Sequence, residues 1–352
     1  MKTSGKVTVP FFISHQGCPH QCVFCDQRII SSSSGQLPDS KSILSKIAQW
    51  QCYANGRPLE VAFFGGTFTA LPETTQQMLL EPLQPLIRSG AVESIRVSTR
   101  PDCISDRIME WLTSMGVGTV ELGVQSMDGT VLTMSGRGYI ADVAAAAIGC
   151  AKRHGVTVVA QLMPGLPGDT ANSSLASLQA VIRSGADQIR IYPTVVLKGT
   201  KLADMYTNGV YRPLSLQAGV DVSKRLLLYA IKAGVGVIRI GLQADDGLNA
   251  DNVLAGCWHP ALGQLVYAEL YFDLLSSLQP QLLRGGALQI SCHPSRVSDV
   301  VGHGRRNLER LRQGGIEIES VVGNKILLEH EVMVSHIKQQ VKLNLLTDLD
   351  YA

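Results

Sequence analysis

The strongest constraint on the fold of this chain is a rhythm: six short runs rich in β-branched and apolar residues alternate with amphipathic stretches of helical period between residues 7 and 192. Such alternation requires parallel strands, because each return to the same end of a sheet takes up a helix-length crossover. The strand segments are Val7–Ser14, Glu60–Phe64, Ser94–Ser98, Thr119–Val124, Thr157–Leu162 and Gln188–Tyr192. The helical stretches between them are Lys41–Ala54, Thr74–Ser89, Ser105–Met115, Tyr139–His154 and Asn172–Ser184. A doubly wound sheet and a barrel or partial barrel both satisfy this pattern, and both gather chemistry at the C-terminal ends of the strands.

After residue 195 the rhythm changes. A long helix near Ser215–Ala233 and one further strand, Val235–Ile240, precede a turn-rich segment, Ala244–Asn252. These features divide the chain into a larger α/β domain over residues 1–243 and a smaller α+β domain over residues 244–352. The smaller domain holds a helix near Leu262–Leu278, a strand near Ala287–Cys292, a helix near Asn307–Gly314 and a strand-like run, Val321–Leu328. The serine tract Ser31–Ser34 is a surface loop.

Composition removes several function classes. Of the 352 residues, 45% are hydrophobic and 17% charged, against roughly 25% charged in an average domain, which describes a chain with a large core rather than a disordered one. Lys and Arg number 31 against 29 Asp and Glu, so a net charge of +2 provides no global field for nucleic acid or an anionic membrane. No run reaches the ~18 apolar residues that span a bilayer, and the alanine-rich Ala144–Ala147 leads straight to Lys152, Arg153 and His154. Lys2 and Lys6 precede the apolar run Val7–Ile13 without a small-residue cleavage site, so the expected location is cytoplasmic, with no membrane partner. In that reducing compartment eight cysteines are too few for a disulfide scaffold, and three of them fall between residues 18 and 25.

Those three form Cys18-Pro19-His20-Gln21-Cys22-Val23-Phe24-Cys25, directly after the first strand. Three thiolates hold one face of an iron–sulfur cube and leave one iron free for substrate. The alternative is a closed zinc site, with His15 or His20 as the fourth ligand. Phe64-Gly65-Gly66-Thr67 ends the second strand. Further along, Thr99-Arg100-Pro101-Asp102, Leu122-Gly123-Val124-Gln125-Ser126, Arg137-Gly138, Leu162-Met163-Pro164-Gly165-Leu166-Pro167 and Arg190-Ile191-Tyr192-Pro193-Thr194 follow in order.

The cysteine spacing, with an aromatic before the last cysteine, is that of the radical S-adenosylmethionine (SAM) superfamily. The ordered motifs from about residue 10 to about residue 215 resemble the radical SAM domain of the Elongator catalytic subunit and, more loosely, the oxygen-independent coproporphyrinogen oxidases. The resemblance implies a partial (β/α)6 barrel carrying a 4Fe–4S cluster on Cys18, Cys22 and Cys25, with SAM chelated to the open iron. It also implies a one-electron reductant such as a flavodoxin or ferredoxin as partner. Carried over by position, Phe24 flanks the cofactor, and Gly65, Gly66 and Thr67 hold the methionyl amino group. Arg137 pairs with the methionyl carboxylate through two parallel charge-assisted bonds, and Gln125 meets the ribose. Ser98 and Gln161 stand where relatives carry acidic ribose contacts, Met163–Pro167 covers the adenine, and Arg190 and Tyr192 line the cavity. Lys198 matches a basic position of the Elongator pattern.

The departures from that pattern are specific. Elongator subunits have a longer gap between their first two cluster cysteines, an acyltransferase domain after the barrel and an RNA-binding segment before it, none of which this sequence shows. The implied reaction is reductive cleavage of SAM to a 5′-deoxyadenosyl radical that takes hydrogen from a substrate, which stays open between an RNA base and a small metabolite. Two other readings remain: a cluster-bearing carrier or haem chaperone without radical turnover, and a zinc-stabilised RNA-binding protein. In the smaller domain, Cys257 with His259 and Cys292 with His293 are candidates for a second metal site. Six arginines between Arg284 and Arg312 against Asp299 and Glu309 give a local net charge of +4, a candidate phosphate grip.

Overall fold

The computed structural model describes residues 5–27, 36–242, 248–249, 251–278, 287–336 and 339–351, and within them all six early strands form. They are β1 (Val7–Phe12), β2 (Leu59–Phe64), β3 (Val92–Thr99), β4 (Val117–Gln125), β5 (Thr157–Leu162) and β6 (Gln188–Ile191). Next come β7 (Val195–Leu197), β8 (Gly236–Ile240) and β9 (Val253–Gly256). The first six strands and β8 make a parallel sheet in the order β1-β2-β3-β4-β5-β6-β8, the wall of a partial barrel. The partial barrel of six units expected from the sequence is present, and β8, the further strand expected at Val235–Ile240, joins it as the seventh strand of the sheet. A small antiparallel pair, β7 with β9, interrupts the rhythm after β6 without ending it, and β8 returns parallel to β6.

Alternation along each strand builds two unlike faces. Val9, Phe11, Val61, Phe63, Ile95, Val97, Val120, Leu122, Val158, Ala160, Ile189 and Ile191 are buried in the core beneath the helices. Each fully buried aliphatic or phenyl group contributes about 1.5–3 kcal/mol there. The intervening positions, among them Glu60, Arg96, Ser98, Glu121, Gln161 and Arg190, face the other way, into the barrel.

The helices are α1 (Ser40–Ala54), α2 (Glu73–Leu80), α3 (Gln84–Arg88), α4 (Asp106–Ser114), α5 (Gly129–Met134), α6 (Ala141–Arg153), α7 (Ala171–Arg183), α8 (Lys201–Thr207) and α9 (Leu216–Lys232), of which α5 and α8 pack on the segment Cys22–Phe24. Side-chain caps set several starts: Asp39 accepts from Ser42 N at 2.8 Å, and Thr170 and Ser173 form a capping box. The expected single helix Thr74–Ser89 is two helices joined by the 3-10 turn Glu81–Leu83. Pro82 and Pro85 lack the N–H that a continuous helix needs, which explains the break.

The C-terminal part contains α10 (Leu262–Ser276), β10 (Leu288–Cys292), α11 (Val297–Val301), α12 (Arg306–Gln313), β11 (Ile318–Gly323), β12 (Glu331–His336) and β13 (Gln339–Asn344). Its sheet has the order β11-β10-β12-β13, with β10 and β11 parallel and the other pairs antiparallel. The strand-like run Val321–Leu328 is not one strand. The chain leaves β11 at Gly323 and turns at Asn324, whose side chain accepts from Ile326 N at 2.9 Å. Helix α9 serves both cores: Leu226 and Ala230 pack into the barrel core, Val220, Leu227 and Leu228 into the C-terminal one. The 243/244 boundary and the Ser31–Ser34 loop lie outside the described residues. No described helix is long and apolar enough to cross a membrane.

Candidate cofactor site

Beyond β1 the chain turns through left-handed backbone at His15 (φ 59°) and Gly17 (φ 72°), which carries Cys18, Cys22 and Cys25 over the C-terminal end of the sheet. The loop is fastened to the glycine turn that ends β2. Ile13 N donates to Phe64 O and Thr67 N to Gln16 O, both at 2.8 Å, and Cys18 Sγ lies 3.3 Å from Thr67 Oγ1. A second fastening uses Gln27, whose Oε1 accepts from His15 N at 2.7 Å and from Gly66 N at 2.6 Å. Gln27 N in turn donates to His15 Nε2 at 2.8 Å. Gly66 (φ 58°) has to be glycine, since a Cβ there would stand 2.5 Å from Ile13 O and nearer still to Gln16 O.

Two guanidiniums converge on Cys22. Arg137 Nη1 donates to Cys22 Sγ at 3.1 Å and Arg100 Nη1 at 3.7 Å, with both arginines only 4% exposed. Arg137 Nη2 also donates to Gly123 O and to the Tyr139 hydroxyl, and Tyr139 donates to Val124 O at 3.0 Å. Burial, followed by the neighbouring Cys22 and Cys18, pushes the Cys25 thiol up to about 12, and burial also raises Cys18. Left to themselves the Cys18 and Cys25 thiols are held toward their protonated form.

The donor set fits a multi-iron cluster better than one ion. Among the described residues, the group of three metal-ligating atoms within 4.8 Å of one another is Asp106, Cys150 and His154, so at least one pair of the three loop sulfurs lies farther apart than that. Sulfurs on a single zinc ion lie about 3.8 Å apart, given a Zn–S bond near 2.3 Å. The Asp106 group lies elsewhere and reads as a pin between helices. One carboxylate oxygen takes the Cys150 thiol at 3.3 Å, the His154 ring at 3.0 Å and Arg153 at 3.0 Å.

Inside the barrel an ionic lattice crosses the sheet. Arg96 binds Glu60 through Nε at 2.8 Å and Glu121 through Nη1 at 2.7 Å, while Arg190 Nη2 binds the same Glu121 oxygen at 2.8 Å. Arg190 Nη1 donates to the Tyr192 hydroxyl at 2.6 Å, and Arg190 Nε is buried without a partner. Glu121 is 5% exposed, so losing it strands buried cations. Glu121→Leu is expected to lower stability by about 3–5 kcal/mol in urea unfolding; a loss under 1 kcal/mol would show that the lattice is solvated.

Sequence comparison gives this architecture its family. The Radical SAM superfamily profile matches residues 12–179, which hold the cysteine loop and the glycine turn, and the Radical SAM C-terminal domain profile matches residues 186–271. The chain belongs to the radical SAM superfamily. Among curated relatives of this radical SAM protein, an uncharacterised Methanocaldococcus jannaschii protein, MJ0486, is 31% identical over 211 residues, covering 56% of this chain and 64% of the relative. A tRNA uridine(34) acetyltransferase of Methanocaldococcus infernus is 24% identical over 305 residues, covering 75% of this chain. The chain spans only 56% of that relative's length. The solved structure of the archaeal M. infernus Elp3 with an N-terminal deletion superposes with a TM-score of 0.61 at 22% identity, covering 77% of this chain and 63% of the other. That superposition places the radical SAM fold.

The structure gathers most of the sequence-derived residues around the cysteine loop. Phe24 is buried with Cys22, Met163, Leu166 and Tyr192 in one cluster. Gln125 adopts φ 67°, its Oε1 accepts from Gln161 Nε2 at 3.1 Å, and its carbonyl accepts from Met163 N at 2.9 Å. Ser98 Oγ lies deeper, 3.5 Å from Glu121 Oε2. Lys198 is exposed on the loop after β7, tied to Asn252 through its backbone.

Among the described residues, no three ligating atoms of the C-terminal candidates lie within 4.8 Å of one another. Cys257 packs against Gly219, Cys292 lies buried in β10, and His293 Nδ1 engages Ser295. The arginine-rich segment is partly compensated: Arg296 pairs with Asp299 and Glu329, and Arg310 pairs with Glu269 and stacks on Phe272, while Arg284 lies outside the described residues. Sequence reasoning assigned no role to Arg100, Tyr139 or Gln27. Only Arg100 had a signal, the Arg-Pro-Asp order that sets a carboxylate two residues from a guanidinium.

The double acceptance at Gln27 Oε1 gives a direct test. Glu at this position keeps the accepting oxygen and Leu removes it, leaving two backbone N–H groups unsatisfied, each a loss of about 1–3 kcal/mol. Gln27→Leu is expected to weaken SAM binding at least tenfold by calorimetry, and Gln27→Glu to stay within threefold of wild type. Equal behaviour of the two variants would remove Gln27 from the fastening.

Proposed function

We propose that the protein is a radical SAM enzyme whose substrate is a nucleoside of RNA. Its carrying observation is the union of parts at one strand end: three cysteines on a loop hydrogen-bonded to the Gly66 turn, with Arg137 buried against the middle sulfur. In this reading Cys18, Cys22 and Cys25 hold three irons of a 4Fe–4S cluster. When bound, the cluster and SAM would supply one-electron reductive chemistry able to start hydrogen abstraction from the substrate. Arg137 pairs with the methionyl carboxylate, and the backbone of Gly65, Gly66 and Thr67 receives the amino group. Gln125, Gln161 and Ser98 take the ribose hydroxyls, and Phe24 and Met163 flank the adenine. Tyr192 and Arg190 face the substrate, and the packing of Phe24, Met163, Leu166 and Tyr192 excludes water from the reacting atoms. A flavodoxin or ferredoxin is the proposed electron donor, in the reducing cytoplasm.

The RNA element draws support from two sources. Relatives matched over most of this chain are named for a tRNA uridine. The barrel wall also carries the Arg190 guanidinium, whose Nε is buried without a hydrogen-bond partner, beside the Tyr192 hydroxyl, groups suited to a base's polar edge.

The deciding experiment uses anaerobically reconstituted protein with SAM and dithionite, with and without transcribed tRNA. About four irons per chain and 5′-deoxyadenosine formation that tRNA raises at least fivefold are expected. Stimulation by a small-metabolite fraction instead of tRNA would replace the substrate assignment alone. A cluster without SAM cleavage would indicate a carrier or haem chaperone, and stoichiometric zinc without iron an RNA-binding protein.

A further inference from the structure

Arg100 has no part in the reaction as described, yet it is as deeply buried as Arg137 and points at the same sulfur. Its guanidinium is forked by Asp102, with Nε 2.9 Å from Oδ1 and Nη2 2.8 Å from Oδ2. Nη2 also donates to the carbonyl oxygen of Arg137, which leaves Nη1 directed at Cys22. The Tyr139 ring lies 5.4 Å from the Arg100 guanidinium carbon and 5.1 Å from that of Arg137, so one ring flanks both cations. Asp102 lies at the surface, so this ion pair adds little net stability, because solvent screens its attraction. Its free donor instead meets a metal-ligating sulfur.

We propose that Arg100 and Asp102 set the reduction potential of the cluster held by Cys18, Cys22 and Cys25. Reduction adds one negative charge to the cluster. A fixed cation at 3.7 Å from one of its sulfurs, in a low-dielectric surrounding, favours that added electron. Hydrogen bonding to a ligating sulfur acts in the same direction by drawing off its electron density. Asp102 limits the effect by supplying the counter-charge, and its fork fixes where the cation points. Arg100 is therefore a positioning residue that acts through Cys22, and the pair works as opposed charges of which only one faces the sulfur.

The proposal rests on the cluster reading above and is tested on the full chain, reconstituted anaerobically, by redox titration followed by electron paramagnetic resonance. Arg100→Gln is expected to make the cluster harder to reduce by about tenfold in equilibrium, about 59 mV for one electron. Asp102→Asn is expected to make it easier to reduce, moving the potential the opposite way. Arg100→Lys, which keeps the charge without the fork, falls between wild type and Arg100→Gln. Iron content stays at the wild-type level in the variants that are scored. Should Arg100→Gln fail to hold its cluster, the sign of the Asp102→Asn shift decides. Unmoved potentials, or shifts of both variants in one direction, would overturn the proposal, whereas a wild-type chain that binds no four-iron cluster would overturn the reading beneath it.

Discussion

Cys22→Ala protein, purified and reconstituted without oxygen, is expected to hold no stable four-iron cluster and to form no 5′-deoxyadenosine above background. The same loss is expected for Cys18→Ala and Cys25→Ala, since each supplies one of three sulfurs. Cys22 differs in a second respect. Its sulfur accepts from Arg137 at 3.1 Å and Arg100 at 3.7 Å, whereas the Cys18 sulfur meets the neutral Thr67 hydroxyl. Alanine at 22 strands a buried guanidinium donor, which costs about 1–3 kcal/mol. Urea unfolding of the cluster-free proteins is therefore expected to rank Cys22→Ala below Cys18→Ala in stability. Deoxyadenosine production at the wild-type rate in any of the three would falsify the assignment of the site.

The second large effect is expected at a residue with no side chain. Gly66→Ala places a Cβ 2.5 Å from Ile13 O, at a φ of 58° that an L-residue adopts at an expense of roughly 1–2 kcal/mol. Neither backbone carbonyl can yield without shifting the segment that leads into Cys18, so the fastening between loop and glycine turn opens. SAM affinity should fall at least a hundredfold by calorimetry, and circular dichroism should retain the helix and strand content, because the sheet core lies below the turn. Alanine at the exposed Gly56, before the other end of β2, whose Cβ meets nothing within 4 Å, is the matched control for left-handed backbone alone.

Much of this architecture was legible in the chain because the signals are local and periodic. Strand segments such as Thr157–Leu162 carry their pattern in consecutive residues, and the cysteine spacing defines its loop outright. The seventh strand was visible as a segment but not as a member of the sheet, since pairing with β6 is a long-range choice. The broken helix before β3 was signalled by Pro82 and Pro85 and could have been read there. Strands β12 and β13 escaped because their mixed polar sequences, Glu331–His336 and Gln339–Asn344, do not stand out as buried runs. Within the site, motif positions singled out Gly66, Gln125 and Arg137 as candidates. The joining of Gln27 to Gly66 spans 39 residues and that of Arg100 to Cys22 spans 78, distances over which no sequence periodicity operates.

Helix α9 also governs how the molecule comes apart. Because Leu226 and Ala230 belong to the barrel core while Val220, Leu227 and Leu228 belong to the other, neither core can melt without exposing one side of the same rod. Its outer surface is further held by the C-terminal tail, with Lys224 and Tyr351 sharing the Asp273 carboxylate at 2.6 and 2.5 Å. Heat should therefore dissolve the protein in one cooperative step rather than two, and freezing one lobe would stiffen its neighbour through a shared spine.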